Sequence, residues 1–179
     1  RKARDYAELG LYISQDIGYD KGIGAGYMQV GNYFVNRNEL DSAGFYYLKS
    51  LSIYKAINSI RGQIFANYTL ADIQRSRGNY DSAIAIVNAN IALYAEGEKG
   101  ESDLGNFNLI GAEYNSLGAI YMDKGSYRLA LQETLKAARF FEEIKDKVRE
   151  ADALKQVGDI EYALGNYQSS LSYCEQAYK

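Results

Sequence analysis

The chain has 179 residues and a mass of 20.0 kDa, of which 47% are hydrophobic and 24% charged. This composition supplies a core and excludes a disordered tail, and 20 basic against 23 acidic residues, a net charge of -3, argue against a dedicated nucleic-acid binder. The chain has no histidine and one cysteine, which excludes Ser-His-Asp or Cys-His catalysis, an intrachain disulfide and a thiolate zinc site. We expect no cofactor and no metal.

Membrane insertion of this segment is not indicated by the sequence. A membrane helix needs roughly 18 consecutive apolar residues, whereas the longest apolar runs, such as residues 84–87, are short. Because the chain opens with Arg1 and not Met, we expect a fragment of a longer protein, in which a signal or anchor could precede it. A cytoplasmic location is the favoured expectation, with an extracytoplasmic sensor segment as the alternative.

The N-terminal segment resembles a later segment of the chain at a constant offset. The matching positions are Tyr6, Leu11, Ile13, Ile17 and Gly22, which recur as Tyr46, Leu51, Ile53, Ile57 and Gly62. Self-similarity at a fixed period indicates a repeat architecture. Residues 1–19 are therefore predicted to form a lone helix equivalent to the second helix of a repeat, and Gly22 is predicted to lie in the turn before the next helix.

Three sets of positions then advance together along the chain. The first is Gly31, Ala71, Gly118 and Gly158; the second, at a constant distance after the first, is Ala43, Ala83, Ala130 and Ser170; between them lie Asn38, Gly78, Gly125 and Gly165. The interval between the second and third copies is longer than the other two. An insertion at residues 96–103 explains it, a polar stretch that we predict to be a surface loop.

Each copy is predicted to be a pair of helices. Apolar side chains follow helical spacing in the first helix, as in Tyr27, Val30 and Phe34. Asn38 and its three glycine counterparts are predicted to adopt the left-handed conformation that ends this helix. Ser126 and Asn166 are strong N-cap residues for the second helix. The small residues of the first set are predicted to lie where two helices approach closely, faced by the alanines of the second set.

The sequence of one copy is specific enough to suggest a family. Residues 115–130, Asn-Ser-Leu-Gly-Ala-Ile-Tyr-Met-Asp-Lys-Gly-Ser-Tyr-Arg-Leu-Ala, resemble the tetratricopeptide repeat, which has a Leu-Gly pair and a Tyr in its first helix, a Gly-Asp/Asn-Tyr turn and an Ala-led second helix. Residues 73–83 and 165–167 match the turn as closely. The resemblance implies an all-α, right-handed superhelical solenoid of antiparallel helix pairs, in one segment covering residues 1–179, with pairs at about 23–58, 63–96, 104–145 and 149–179.

The chain also departs from the family pattern. Its period of about 40 exceeds the usual 34, and the proline that normally closes a repeat is missing. Both departures fit longer second helices, as in the long-repeat subgroup of bacterial signalling proteins and some eukaryotic scaffolds. Gln74 and Glu161 stand where an aromatic residue is usual, and Ser170 replaces the alanine. The main rival is another helical-hairpin solenoid of similar period.

Other candidate sites have simpler structural explanations. Cys174 lies on an apolar stripe with Leu171 and Tyr178, which is typical of a buried structural thiol. The carboxylates Glu142 and Glu143 lack the pattern of an EF-hand loop. Residues 22–26, Gly-Ile-Gly-Ala-Gly, lack the preceding strand and the spacing of a dinucleotide fingerprint.

The resemblance further implies that the first helices line a concave face that holds an extended peptide or a partner's helix. The residues that it places on this face are Met28, Asn32, Asn36, Tyr68, Asp72, Arg75, Asn115, Met122, Asp123, Lys155, Asp159 and Tyr162. Amides and tyrosines suit hydrogen bonds to a peptide, whereas the aspartates favour a neutral or basic ligand.

The best-known ligand site of this fold is a carboxylate clamp for chaperone tails, built from Lys, Arg and Asn on successive first helices. Asn32 matches the clamp, but Met28 stands where its first Lys would lie, and Tyr68 and Asp72 occupy the corresponding pair in the next repeat. We therefore expect no binding of acidic chaperone tails.

The functional expectation is a non-enzymatic protein- or peptide-binding module, the sensory or regulatory segment of a larger signalling protein. The alternatives are a structural scaffold of a multiprotein assembly and an accessory region of an enzyme whose catalytic domain lies outside this chain. Apolar residues on the terminal helices also predict fraying there, or self-association of the chain.

Overall fold

The structure is a computed structural model that describes residues 2–97 and 108–178. This part of the chain forms nine α-helices and no strand, which confirms the predicted all-α class. The helices are α1 (Lys2–Asp16), α2 (Asp20–Val35), α3 (Leu40–Ala56), α4 (Ile60–Ser76), α5 (Tyr80–Gly97), α6 (Asn108–Asp123), α7 (Tyr127–Glu143), α8 (Lys147–Ala163) and α9 (Tyr167–Ala177). Most of the predicted loop at 96–103 lies outside the described residues. Among the described helices, none has the length and apolar character needed to cross a membrane.

The helices are grouped in two compact units. Unit 1 contains α1 to α4 and the part of α5 from Asn88 onwards, whereas unit 2 contains residues 78–87 and α6 to α9. In unit 1, α1 packs on α2, α2 on α3 and α3 on α4; in unit 2, α6 packs on α7, α7 on α8 and α8 on α9. Each unit is therefore a row of consecutive helices, as expected when short turns connect them.

One buried cluster in each unit shows how the helices pack. In unit 1, Val30 and Phe34 of α2 pack with Ala43 and Ile73, and the Phe34 ring stacks on Tyr46 with 5.4 Å between centroids. In unit 2, a buried cluster consists of Phe141 and three alanines, Ala137, Ala138 and Ala153. Alanine has a small side chain and the highest helix propensity. The alanines of this cluster therefore let α7 and α8 pack closely.

The turns within the helix pairs follow the predicted chemistry. Asn38, Gly78, Gly125 and Gly165 have φ angles of 59°, 76°, 78° and 83°, which confirms the left-handed residue at each of the four positions. The second helices end in the same way at Gly18, Asn58 and Lys145, with φ angles of 66°, 52° and 59°. Lysine is the costliest of these residues, because it has the Cβ that glycine lacks and, unlike asparagine, no short polar side chain that bonds to the local backbone.

The predicted N-cap positions are confirmed, but not their capping bonds. Ser126 and Asn166 are the N-cap residues of α7 and α9, and neither side chain makes a capping hydrogen bond. The Asn166 amide instead donates to the Glu161 carboxylate at 2.7 Å. Side-chain capping is seen at α4 and α8: Ser59 accepts from the backbone N–H of Gly62, and Asp146 accepts from that of Arg149.

The first and second helices of a pair approach closely at glycines of the first helix. The side chains nearest to these glycines are not the predicted alanines but a further set of positions on the second helix. A Cβ at Gly31 would lie 2.7 Å from the Tyr47 ring, one at Gly118 2.0 Å from Thr134 Oγ1, and one at Gly158 2.7 Å from Cys174 Sγ. All three partners follow their glycines at the same offset, one helical turn beyond the predicted alanine or serine. Since real Cβ atoms do not approach this closely, no larger residue fits at these positions unless the neighbour moves.

Two other sequence interpretations need correction. Gly22 lies in the first turn of α2 and not in the turn before it. Cys174 is half-buried against Gly158, while Leu171 and Tyr178, which were predicted to share a buried stripe with it, are exposed.

Within each unit, an ion pair joins the residue after a first helix to the first turn of the second helix of the preceding repeat copy. Arg77, at the end of α4, pairs with Asp41 in the first turn of α3. Lys124, after α6, pairs with Asp81 in the first turn of α5 at 2.5 Å. Asp41 and Asp81 occupy the same position in successive copies of the repeat. Asp41 and Asp81 are exposed. Because ion pairs at the surface contribute little to the free energy of unfolding, these two add little stability.

The left-handed turns can be tested with a pair of opposite substitutions. Lys145→Gly is expected to raise the free energy of unfolding by about 0.5–1 kcal/mol, because glycine adopts this conformation without the Cβ penalty. Gly125→Ala is expected to lower it by about 1 kcal/mol for the same reason. Urea unfolding followed by circular dichroism measures both, and a lower midpoint for Lys145→Gly would contradict the assignment.

Candidate ligand-binding faces

In unit 1, the predicted face residues lie on α2 and α4 or directly after α2. Asn32, Asn36, Tyr68 and Asp72 are exposed, whereas Met28 and Arg75 are half-buried; Asn36 is the C-cap of α2. Solvent therefore reaches amide, phenol and carboxylate groups along these two helices.

Asn32 is held by a buried tyrosine. Tyr47, which is 1% exposed on α3, donates its hydroxyl proton to Asn32 Oδ1 at 2.5 Å. Burial raises the pKa of Tyr47, and a hydrogen bond with Thr69 of α4 opposes part of this rise. Because Oδ1 is occupied, the exposed Asn32 amide presents its Nδ2 hydrogens to solvent, and these donors match a peptide carbonyl.

The charged residues of the unit 1 face neutralise each other. Asp72 and Arg75 form an ion pair of 3.4 Å, one turn apart on α4, and the Asp72 side chain is 53% exposed. Its guanidinium neighbour reduces the repulsion that Asp72 exerts on an anionic ligand.

In unit 2, the predicted face residues lie on α6 and α8. Asp123, Lys155, Asp159 and Tyr162 are exposed, whereas Asn115 and Met122 are half-buried. Tyr162 is 65% exposed and meets Tyr167 edge to face, with 5.3 Å between ring centroids. The two rings offer an amphipathic contact surface close to the anionic Asp159.

A polar layer lies beneath the unit 2 face. Gln156 of α8 donates to the backbone oxygen of Asn115 at 3.5 Å. Asn115 Oδ1 and Thr134 Oγ1 are buried, and neither accepts or donates a hydrogen bond within the described residues. Such groups normally bind ordered water. Thr134 and Gln156 were missed by the sequence analysis, although Thr134 follows Gly118 at the same offset at which Tyr47 follows Gly31.

Comparison with known proteins gives the fold but no sequence relative. No family model matches the sequence, and no curated protein matches it. A Rap protein in complex with Competence and Sporulation Factor superposes with a TM-score of 0.82 at 15% identity, over 97% of this chain and 47% of the Rap chain. Nearly identical TPR-like repeats from Podosopora anserina superpose with a TM-score of 0.75 at 14% identity, over 99% and 84% of the two chains.

The chain has the tetratricopeptide-type repeat fold. A signal transduction ATPase with a tetratricopeptide repeat sensor, from Pyrococcus horikoshii, is similar with a TM-score of 0.80 at 20% identity, over 98% of this chain and 26% of that one. This chain spans less than half the length of the Rap protein that it matches. The resemblance drawn from residues 115–130 is thus confirmed for the fold.

The Tyr47 to Asn32 hydrogen bond can be removed without changing the shape of the core. Tyr47→Phe is expected to lower the free energy of unfolding by about 0.5–1.5 kcal/mol for each hydrogen bond lost, because its hydroxyl bonds to both Asn32 and Thr69. The Asn32 side-chain amide signals in a ¹⁵N NMR spectrum should move at the same time. Tyr12→Phe, on the exposed surface of α1, is the control; unchanged Asn32 signals in Tyr47→Phe would refute the contact.

Alkaline pH should destabilise the fold through its buried tyrosines. Burial raises the pKa of Tyr47 and of Tyr54 above the ordinary value of 10.0, so the folded chain holds these protons more tightly than the unfolded chain. Their stabilising contribution is complete below pH 10 and is lost as the pH rises toward the raised pKa. Urea midpoints measured from pH 8 to 11 should fall less steeply in a Tyr47→Phe, Tyr54→Phe double variant, and an equal slope would contradict this cause.

Proposed function

We propose that the chain is a non-enzymatic repeat module that binds a protein or peptide on the exposed faces of its first helices. The observation that carries the proposal is the hydrogen bond from the buried Tyr47 hydroxyl to Asn32 Oδ1, which fixes the orientation of the exposed Asn32 amide. A donor fixed before binding loses little conformational freedom when a ligand arrives. The Rap protein of the same fold was crystallised with Competence and Sporulation Factor, which supports a binding role.

The finer proposal is a sensory or regulatory segment of a larger signalling protein. It is supported by the Pyrococcus horikoshii signal transduction ATPase, in which a tetratricopeptide repeat sensor belongs to a much longer chain. A scaffold of a multiprotein assembly and an accessory region of an enzyme are the alternatives. The flanking sequence distinguishes them, because a signalling role requires a catalytic or DNA-binding domain and a scaffold requires further repeats.

Ligand charge is proposed to matter most in unit 2. Asp72 is paired with Arg75, whereas Asp159 is exposed and makes no ion pair with any described residue. Tyr162, about one turn later on the same helix, adds apolar contact. A neutral or basic peptide segment therefore suits the face formed by Asp159 and Tyr162 better than an acidic one.

An array of short synthetic peptides tests this preference. Peptides of equal length and apolar content but opposite charge are titrated against the chain by fluorescence anisotropy. Peptides bearing Lys or no charge are expected to bind more tightly than acidic ones, and Asp159→Asn should weaken the basic peptides by about 3- to 10-fold. Glu175→Gln, an exposed carboxylate on α9, is the matched control. Tight binding of an acidic tail, or indifference to Asp159→Asn, would show that the assignment is wrong.

We also propose self-association through α1. Tyr6 and Ile13 on α1 and Ile17 directly after it lie on one side and are exposed, Tyr6 by 72%. The repeat counterparts Tyr46 on α3 and Ile57 directly after it are half-buried. An apolar stripe of this kind is typical of an interaction surface.

Sedimentation velocity at rising protein concentration tests the α1 surface. The chain is expected to shift from monomer toward dimer, and the double variant Ile13→Glu, Ile17→Glu should remain monomeric because two charges replace the apolar stripe. Tyr12→Glu changes an equally exposed residue beside the stripe and should still dimerise. A monomer at all concentrations would remove this proposal and leave peptide binding unaffected.

A further inference from the structure

A cavity in unit 1 lies where the end of α3 meets the beginnings of α2 and α4. Its volume is about 280 Å³, and its lining consists of Lys21, Tyr54, Ser59, Arg61, Gly62 and Phe65. The lining contains two cations and no carboxylate. It shares no residue with the predicted face, and Arg61 is about 16 Å from Asp72 along the axis of α4.

Tyr54 brings an unused hydroxyl to this cavity. The residue is only 8% exposed, and its ring lies between two helices: a Cβ at Gly62 would be 2.2 Å from its Cδ1, and one at Gly24 2.8 Å from its Cζ. The ring thus runs from α4 toward α2, with its hydroxyl on the α2 side. No described residue forms a hydrogen bond with this hydroxyl, and its oxygen is not fully buried, so it can donate to a group that enters the cavity.

The positive charge at the cavity comes from two helices. Lys21 lies in the first turn of α2, is exposed and makes no ion pair with the described residues. Arg61 lies in the first turn of α4, with its guanidinium 5.6 Å from the centre of the Phe65 ring. Ser59 caps the same turn through its bond to Gly62, so the positive end of the α4 dipole also faces this region.

The chemistry of these groups selects one class of ligand. Lys21 and Arg61 only donate hydrogen bonds, and burial, together with the neighbouring Tyr19, raises the pKa of Tyr54, so its hydroxyl keeps its proton at neutral pH. Phe65 supplies an apolar wall. A site of cationic donors beside an aromatic ring suits an anion on an apolar stem and disfavours a cation.

We propose that this cavity binds the carboxylate or phosphate monoester of a ligand, held between Lys21, Arg61 and the Tyr54 hydroxyl. Charge-assisted hydrogen bonds from the two cations hold the anion, and the cavity is large enough to admit part of the stem as well. The site is independent of the peptide-binding proposal, since it uses different residues and the opposite ligand charge.

The probes are phenyl phosphate, phenylacetate and inorganic phosphate, added to the ¹⁵N-labelled full chain at constant ionic strength. The Gly62 amide signal is expected to shift and to saturate with phenyl phosphate or phenylacetate. The ratio of these two affinities distinguishes a phosphate ligand from a carboxylate ligand, and inorganic phosphate should bind more weakly because it lacks the stem. Lys21→Gln and Arg61→Gln should each raise Kd roughly tenfold, and Tyr54→Phe roughly fivefold.

A matched variant distinguishes binding at this site from nonspecific attraction of anions to surface charges. Arg128→Gln removes an exposed charge from α7 and should leave Kd unchanged. Lys21 and Arg61 lie at the surface, and Tyr54→Phe keeps the ring between the two glycines, so an unchanged spectrum of the free variants verifies folding. The proposal is overturned if the Gly62 signal does not saturate, or if the Lys21→Gln, Arg61→Gln double variant binds as tightly as the parent chain. Neither result bears on peptide binding at Asn32 or Asp159.

Discussion

The contact between a glycine of the first helix and a side chain of the second is the constraint on which the pairs α2/α3, α6/α7 and α8/α9 depend. Where Gly31, Gly118 and Gly158 lie, the missing Cβ lets a ring, a hydroxyl or a thiol approach the helix backbone itself. Because the atoms are closely packed at these points, the two helices of a pair cannot slide along each other. Left-handed residues at the turns fix where the pairs fold back, but the glycine contacts decide how closely the two helices lie.

Two of the side chains that contact these glycines also carry a hydroxyl group. Tyr47 packs its ring on Gly31 and ends in a hydroxyl that holds Asn32. Thr134 packs on Gly118 and places an oxygen near the amide of Gln156. Tyr47, which the core requires for packing, thus also orients the exposed Asn32 amide. A substitution that loosens Tyr47 therefore affects both the packing and this amide.

Features that depend on local backbone chemistry were predictable from the sequence. Asn38 and Gly125 were identified because the left-handed conformation restricts the residues that end a helix, and the repeat period located the helices. The partners of the glycines were not identified: Tyr47, Thr134 and Cys174 differ in size and polarity, so no common residue type marks the position. The N-cap position of Asn166 was predictable, but its side-chain bond was not, because Nδ2 donates to the Glu161 carboxylate while Oδ1 makes no capping bond. The cavity at Tyr54 depends on the meeting of three helices, which no local pattern encodes.

The variety of the side chains that contact these glycines has a consequence for how such an array can grow. A duplicated second helix inserted elsewhere would bring Tyr47 against a gap shaped for Cys174, or the reverse, leaving a steric clash or a void at the contact. Mispairing between copies during synthesis is disfavoured for the same reason, since each second helix fits its own first helix best. Repeats that look alike in sequence therefore differ at the glycine contact, and each second helix packs best against the first helix that precedes it in the chain.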